Sequence, residues 1–270
     1  MKIILLSIFG LILISFNASL YSQGCMDGGS DDGVNIKGFI QPQFNYFLNG
    51  NDDDGNNLDA ANFTFNRARI GVLGSIVYDI DYYFFIETSP FKNSTNTVHL
   101  LDAFVTYTRF EKYAKISLGQ FKSPFSLEQN TSCSGLYTIN RSEVVSQLAG
   151  PQRDLGVMAS AGNDTTLIKY SLGYMNGSGI MNENGMGVSD DNISKDILGR
   201  LVISPFEFLN IGGSFRLGKF NPTDPTEKLN DLYRYAGEIE FKYKDFVLQA
   251  EYIYGEDELY SISSVPIYGG

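Results

Sequence analysis

The sequence predicts an all-β fold: an antiparallel transmembrane β-barrel, of which this chain supplies about the first eleven strands of a larger one. Three observations predict it. Alternating apolar and polar residues recur along the chain, the period-two signature of strands with two unlike faces. The connections between these stretches alternate between short and long. Aromatics are plentiful, with 17 Tyr and 20 Phe, while hydrophobic content is 43%, too low for a bundle of membrane helices. A barrel wants this mixture, because only alternate residues of each strand face lipid and aromatics girdle both interfaces.

Residues 1–22 read as a signal peptide. Lys2 is its positive end, residues 3–16 are its apolar core, and the small residues Ala18 and Ser22 precede a cut before Gln23. A permanent anchor fits less well, since the apolar run is short of the ~20 residues a helical span needs. Residues 23–33 form an acidic, Gly-rich lead read as flexible, and residues 34–270 form the barrel domain. Strands are expected at 34–48, 63–77, 81–88, 100–110, 114–122, 154–162, 167–174, 195–204, 209–219, 232–243 and 246–254.

The faces are clearest in three of them. In the second, Ala68, Ile70, Val72, Gly74 and Ile76 oppose Arg67, Arg69, Gly71 and Ser75. In the ninth, Leu209, Ile211, Gly213, Phe215 and Leu217 oppose Asn210, Gly212, Ser214, Arg216 and Gly218. In the tenth, Tyr235, Gly237, Ile239, Phe241 and Tyr243 oppose Arg234, Glu238, Glu240 and Lys242. A soluble sandwich alternates as well, with its apolar face turned inward. The connections separate the two readings. Those after odd strands are long and polar (49–62, 89–99, 123–153, 175–194, 220–231), and those after even strands are short. Outer-membrane barrels sort their loops this way, short turns facing the periplasm and long loops the outside. Such barrels close with an even strand number. An eleventh strand followed by a polar run from Gly255 to Gly270 therefore points to a barrel incomplete at its C-terminus; a miscounted small barrel is the competing reading.

Twenty basic against 31 acidic residues, net charge −11, argue against nucleic-acid binding, which wants a basic surface. No Cys/His cluster suggests zinc, and no cofactor motif is present. Asp52-Asp53-Asp54 and Asp190-Asp191 read as solvated loop tips rather than cation sites. The single histidine, His99, reads as a solvated loop residue; a barrel hydrolase would need it as a base beside a serine. Cys25 and Cys133 are the two cysteines, and spacing alone does not pair them.

The arginines are more informative. Arg67 and Arg69 share the polar face of one strand; Arg200, Arg216 and Arg234 fall on the polar faces of three later ones. Lys122 opens the longest loop, and Arg141 and Arg153 lie in or after it. A charge on the lipid face costs ~2–4 kcal/mol at midplane, so these belong in the lumen. There they either guide anions or form a ladder with carboxylates such as Asp81, Glu87, Glu238, Glu240 and Glu251. The loop 123–153 carries apolar residues, among them Phe125, Val144, Val145 and Leu148, that a solvated loop does not need. It is expected to fold into the barrel and narrow it.

Six stretches in order resemble one family. They are Gly38-Phe39-Ile40-Gln41-Pro42-Gln43-Phe44, Phe65-Asn66-Arg67-Ala68-Arg69-Ile70-Gly71, Leu101-Asp102-Ala103-Phe104-Val105, Gly119-Gln120-Phe121-Lys122-Ser123-Pro124-Phe125, Asn140-Arg141-Ser142 and Gln152-Arg153-Asp154-Leu155-Gly156-Val157. The family is the phosphate-selective porins O and P, and the clear resemblance runs from about Asn35 to Ala161. It implies a sixteen-stranded barrel, usually trimeric, in a Gram-negative outer membrane, with an inward third loop and an arginine-lined path for phosphate or related anions. Arg67, Arg69, Lys122, Arg141 and Arg153 occupy matching positions and inherit that role; Arg200, Arg216 and Arg234 rest on periodicity alone. The chain departs from the family in its acidic balance and in lacking a dense lysine cluster in its loops. A pore without phosphate selectivity and a surface adhesin remain the alternatives.

Overall fold

A computed structural model describes residues 34–51, 55, 57–76, 79–89, 98–111, 113–180, 190, 193–220 and 230–257. Residues 1–33, which include the expected signal peptide and the acidic lead with Cys25, as well as Asp52-Asp53-Asp54, Asp191 and the last polar run beyond residue 257, lie outside the described residues. The strands are β1 Val34–Phe47, β2 Ala60–Ile76, β3 Ile80–Glu87, β4 His99–Tyr107, β5 Lys115–Lys122, β6 Arg153–Ala161, β7 Ile168–Met175, β8 Asp196–Phe206, β9 Leu209–Phe220, β10 Asn230–Tyr243 and β11 Phe246–Asp257. They form one sheet in sequence order, each paired with its chain neighbours, and every pair is antiparallel. The outer edges of β1 and β11 do not pair with each other.

The sheet is inside out by the standard of a soluble sandwich. Ile36, Ile40, Phe84, Leu118, Leu172, Tyr174, Leu201, Ile211, Tyr235, Ile239 and Leu248 are exposed on one face. The opposite face buries Arg67, Arg216, Arg234, Glu87, Asp196, Glu238 and Glu240. Water would reverse that arrangement; a bilayer favours it, because lipid takes the apolar face and the concave polar face keeps its ionic partners.

What covers the polar face is the connection 123–152. It carries two short helices, α1 Leu127–Asn130 and α2 Glu143–Leu148, which the sequence reading left as loop. Ser126 and Ser142 cap them, accepting from the backbone N–H of Gln129 and Val145. Phe125, Val145, Leu148 and Ala149 pack with Phe121, Met158, Met175, Leu198, Ala236 and Ile253 of the strands, the small apolar core of the protein.

The same loop reaches both ends of the sheet. The Leu127 N–H donates to Glu251 of β11, the Glu128 carbonyl accepts from Arg141, and Asn140 accepts from Asn66 of β2. Three hydrogen bonds and two peptide steps thus join strands that a flat sheet would hold roughly 43 Å apart. The sheet therefore bends into a trough with the loop inside it. The structure corrects one sequence expectation here. His99 is no solvated loop residue; it is buried as the first residue of β4, opposite Glu87.

Candidate ion path on the trough floor

The eight basic residues all point into the trough or sit where the loop meets it, but they divide into two electrostatic kinds. Three are neutralised by carboxylates. Arg153 makes a forked pair with Asp102, at 2.9 and 3.1 Å. Arg200 forks onto Glu238, at 3.2 and 2.5 Å. Arg216 bonds Asp196 at 2.6 Å and also donates to the carbonyls of Gly150 and Gly177. These are the ladder pairs; Arg153 and Arg200 use the planar fork geometry that arginine offers a carboxylate, while Arg216 places Nε and Nη2 on one oxygen of Asp196.

Three others end on neutral acceptors. Arg67 donates to Gln41 Oε1 at 2.6 Å, the Ile139 carbonyl at 2.8 Å and Asn140 Oδ1 at 3.3 Å. Arg141 donates to the carbonyls of Glu128, Gln129 and Thr131 at 3.0, 3.2 and 2.7 Å. Lys122 donates to the Thr131 carbonyl at 3.0 Å. None of the three makes an ion pair with a carboxylate among the described residues. A carbonyl satisfies a donor without supplying a counter-charge, so no carboxylate offsets these groups.

Arg69 belongs to both kinds. Its Nε bonds Glu87 at 2.7 Å and its guanidinium lies over the Phe39 ring. Its Nη1 donates to the sulfur of Cys133 at 3.0 Å, and Arg141 approaches the same sulfur at 3.6 Å. Arg67, Arg69, Lys122 and Arg141, drawn from β2, β5 and the loop, thus surround one cysteine. Arg234 stands apart, donating to the carbonyls of Tyr233 and Glu256 near the long-loop end of β10.

Sequence reasoning identifies the cations and two of their carboxylate partners, Glu87 and Glu238. Asp102 and Asp196 escape it, although Asp196 shares strand parity with Arg200, and Asp102 lies in one of the quoted motifs. Of the carboxylates that were named, Glu87 and Glu238 pair with arginines, Glu240 takes Lys242 and Asn210, Glu251 holds the loop, and Asp81 accepts from Ser75. Nothing in the sequence signalled Cys133, because its neighbours come from three elements far apart in the chain. Below the loop, on the short-turn side, a cavity of about 1060 Å³ is lined by Lys169, Arg200, Asn210, Glu238, Glu240 and Lys242 among others. Its charges are mixed. Among the described residues there is no metal-binding cluster of His, Cys, Asp and Glu, and no helix is long and apolar enough to cross a membrane.

Among solved structures the chain is similar to a loop-L8 deletion mutant of OmpT, an outer membrane protein of Vibrio cholerae. Identity is 11% and the TM-score 0.54, over 84% of this chain and 70% of that one. Outer-membrane expressed OmpT of Vibrio cholerae aligns with 11% identity and a TM-score of 0.51, over 83% of this chain and 64% of that one. Likeness at this identity shows the fold, that of an outer-membrane β-barrel. No curated protein matches. The model of the phosphate-selective porin O and P family matches residues 34–209, the stretch that holds β1 to β8 and the whole inward loop. The chain with its outward apolar face and its ionic trough belongs to the phosphate-selective porin O and P family of outer-membrane porins.

Proposed function

We propose that the protein passes small anions, phosphate among them, across a Gram-negative outer membrane after Sec export, through a lumen narrowed by the loop 123–152. The observation that carries this is that Arg67, Arg141 and Lys122 end on carbonyls and amides and on no carboxylate. Three basic groups held by carbonyls and amides at one constriction give it a positive field that no carboxylate there offsets. Each contributes on the order of 1 kcal/mol to an anion 4 Å away in water. Three together give ~3 kcal/mol, a Kd of roughly several millimolar. That is strong enough to select an anion and weak enough to release it, the condition for conduction.

This reading narrows the path inferred from sequence. Arg67, Arg69, Lys122 and Arg141 set the field that the anion meets. Arg153, Arg200 and Arg216 hold the wall, since their charge is taken up by Asp102, Glu238 and Asp196. Arg234 lines the approach from the long-loop side. The mixed charges of the lower cavity favour a second reading, a general pore with little selectivity, if that cavity and not the loop governs passage. Oligomerisation as a homotrimer follows only from the family resemblance.

The test is the reversal potential of the full-length protein in a planar bilayer under a salt gradient, followed by added phosphate. Anion selectivity, with chloride current blocked by millimolar phosphate, is expected. Arg67→Gln with Arg141→Gln should bring the reversal potential toward zero and lift the block. Weak or cation selectivity in the unaltered protein would leave the porin standing and remove the anion path.

A further inference from the structure

Cys133 sits among the basic side chains of the constriction. Two guanidinium groups donate toward its sulfur, Arg69 at 3.0 Å and Arg141 at 3.6 Å. Lys122 is held one turn away, on the Thr131 carbonyl. Arg67, 4% exposed, is fixed beside them with its Nε left without an acceptor. A neutral thiol is a weak acceptor and would be a poor end point for two charged forks. A thiolate accepts both. Cys133 is only partly buried, and the next residues of its loop, Ser134 and Gly135, are exposed.

We propose that Cys133 is a reactive thiolate and a modification site for small oxidants of the peroxide class, set inside the anion path, whose oxidation raises the positive charge of the constriction. The proposal rests on the anion-path reading above for its consequence, not for its chemistry. The thiolate sulfur attacks one oxygen of hydrogen peroxide and the O–O bond breaks. Sulfur is oxidised to sulfenic acid, peroxide is reduced, and the departing hydroxide takes a proton to become water. The resident negative charge is replaced by a neutral group that a thiol reductant can reverse. Arg67, Lys122 and Arg141 then lose the anion they shared with Arg69.

The charged groups facing the sulfur are consistent with this. Arg67 and Arg69 come from β2, Lys122 from β5, Arg141 from the loop; against them stand Glu87 of β3, bound to Arg69, and Asp102 of β4, bound to Arg153. Cations outnumber carboxylates around the thiol. Burial alone would raise its pKa, but Arg69, Arg141 and Lys122 bring it down to about 6.

The experiment uses the full-length protein in detergent micelles, with and without prior reduction. Iodoacetamide labelling of Cys133 is followed by mass spectrometry between pH 5 and 9. A rate profile with its midpoint near pH 6 is expected, together with protection by brief peroxide treatment and recovery on adding a thiol. In bilayers, peroxide should shift the reversal potential toward greater anion preference, and Cys133→Ser should abolish that response. A midpoint near pH 8.5, or labelling only after reduction because Cys133 is bonded to Cys25, would overturn the proposal. The two readings fail separately. A pore without anion selectivity whose Cys133 still reacts at low pH keeps the site and loses the path. An anion-selective pore with an unreactive Cys133 does the reverse.

Discussion

Arg153 and Arg141 lie at the end of one loop and within it, yet they carry opposite consequences. Arg153 spends its donors on Asp102; Arg141 places its own on three carbonyls. The first residue is part of the wall, and the second is part of the field. The distinction makes a stability prediction. Arg216 is buried, with Asp196 beside it at 2.5 Å. Asp196→Ala leaves a guanidinium inside the trough without its counter-charge, and breaking such a buried pair costs about 3–5 kcal/mol. Equilibrium unfolding in lipid vesicles should show a loss of that size, whereas truncating the exposed pair partner Asp164 should show less than 1 kcal/mol. At this scale sequence told which residues were cations and which face they shared. It did not tell which would be neutralised, because Asp102 and Arg153 are brought together by the sheet across an intervening strand, and parity says nothing about reach.

The loop 123–152 behaves as an element in its own right. Its first turn is held by the Glu251 carboxylate on the N–H groups of Leu127 and Glu128 and by Ser214 on the N–H of Ser126. Its last turn is held by Arg216 on the Gly150 carbonyl. Deleting residues 126–146 should enlarge single-channel conductance, and unchanged conductance would mean that the loop does not narrow the pore. Glu251→Ala removes one tether only; the expected sign is added current noise at nearly the same mean conductance, read from single-channel records. Strands were legible because their alternation runs for eight residues or more. At the bulge between Gln41 and Pro42 the register on β2 slips by one residue, so Thr64 and Asn62 share the face of Arg67 and simple parity fails there. The helices α1 and α2 were not legible, since four and six residues are too few for a 3.6-residue period to repeat. A trace was there: Ser126 followed three residues later by Gln129 is a helix-start pattern.

On the scale of the whole molecule, the decisive property is which face looks outward. The parity of loop lengths carried that information in the sequence, and the exposed apolar face agrees with it. The prediction belongs to the faces. Leu201→Arg places a charge where lipid is expected and should destabilise the folded protein by ~2–4 kcal/mol in vesicle refolding assays, if the position lies near midplane. Val202→Thr, one residue on and on the opposite face, should alter packing below the loop and leave membrane insertion unchanged. Equal costs for the two would argue that the faces have been assigned the wrong way round.

The contacts of the loop with β2, β9 and β11 also bear on the order of assembly. Every strand otherwise pairs only with its neighbours in the chain, so hairpins can be laid down one after another with little loop-closure entropy at each step. The loop leaves the sheet after β5 and rejoins it at β6, yet Ser214 of β9 and Glu251 of β11 meet backbone donors that it presents. These contacts span far more chain than any strand pairing, so their closure costs the most entropy. The loop fastens to the wall at the points most distant along the chain, and the curvature of the wall matches the shape of what lies inside it.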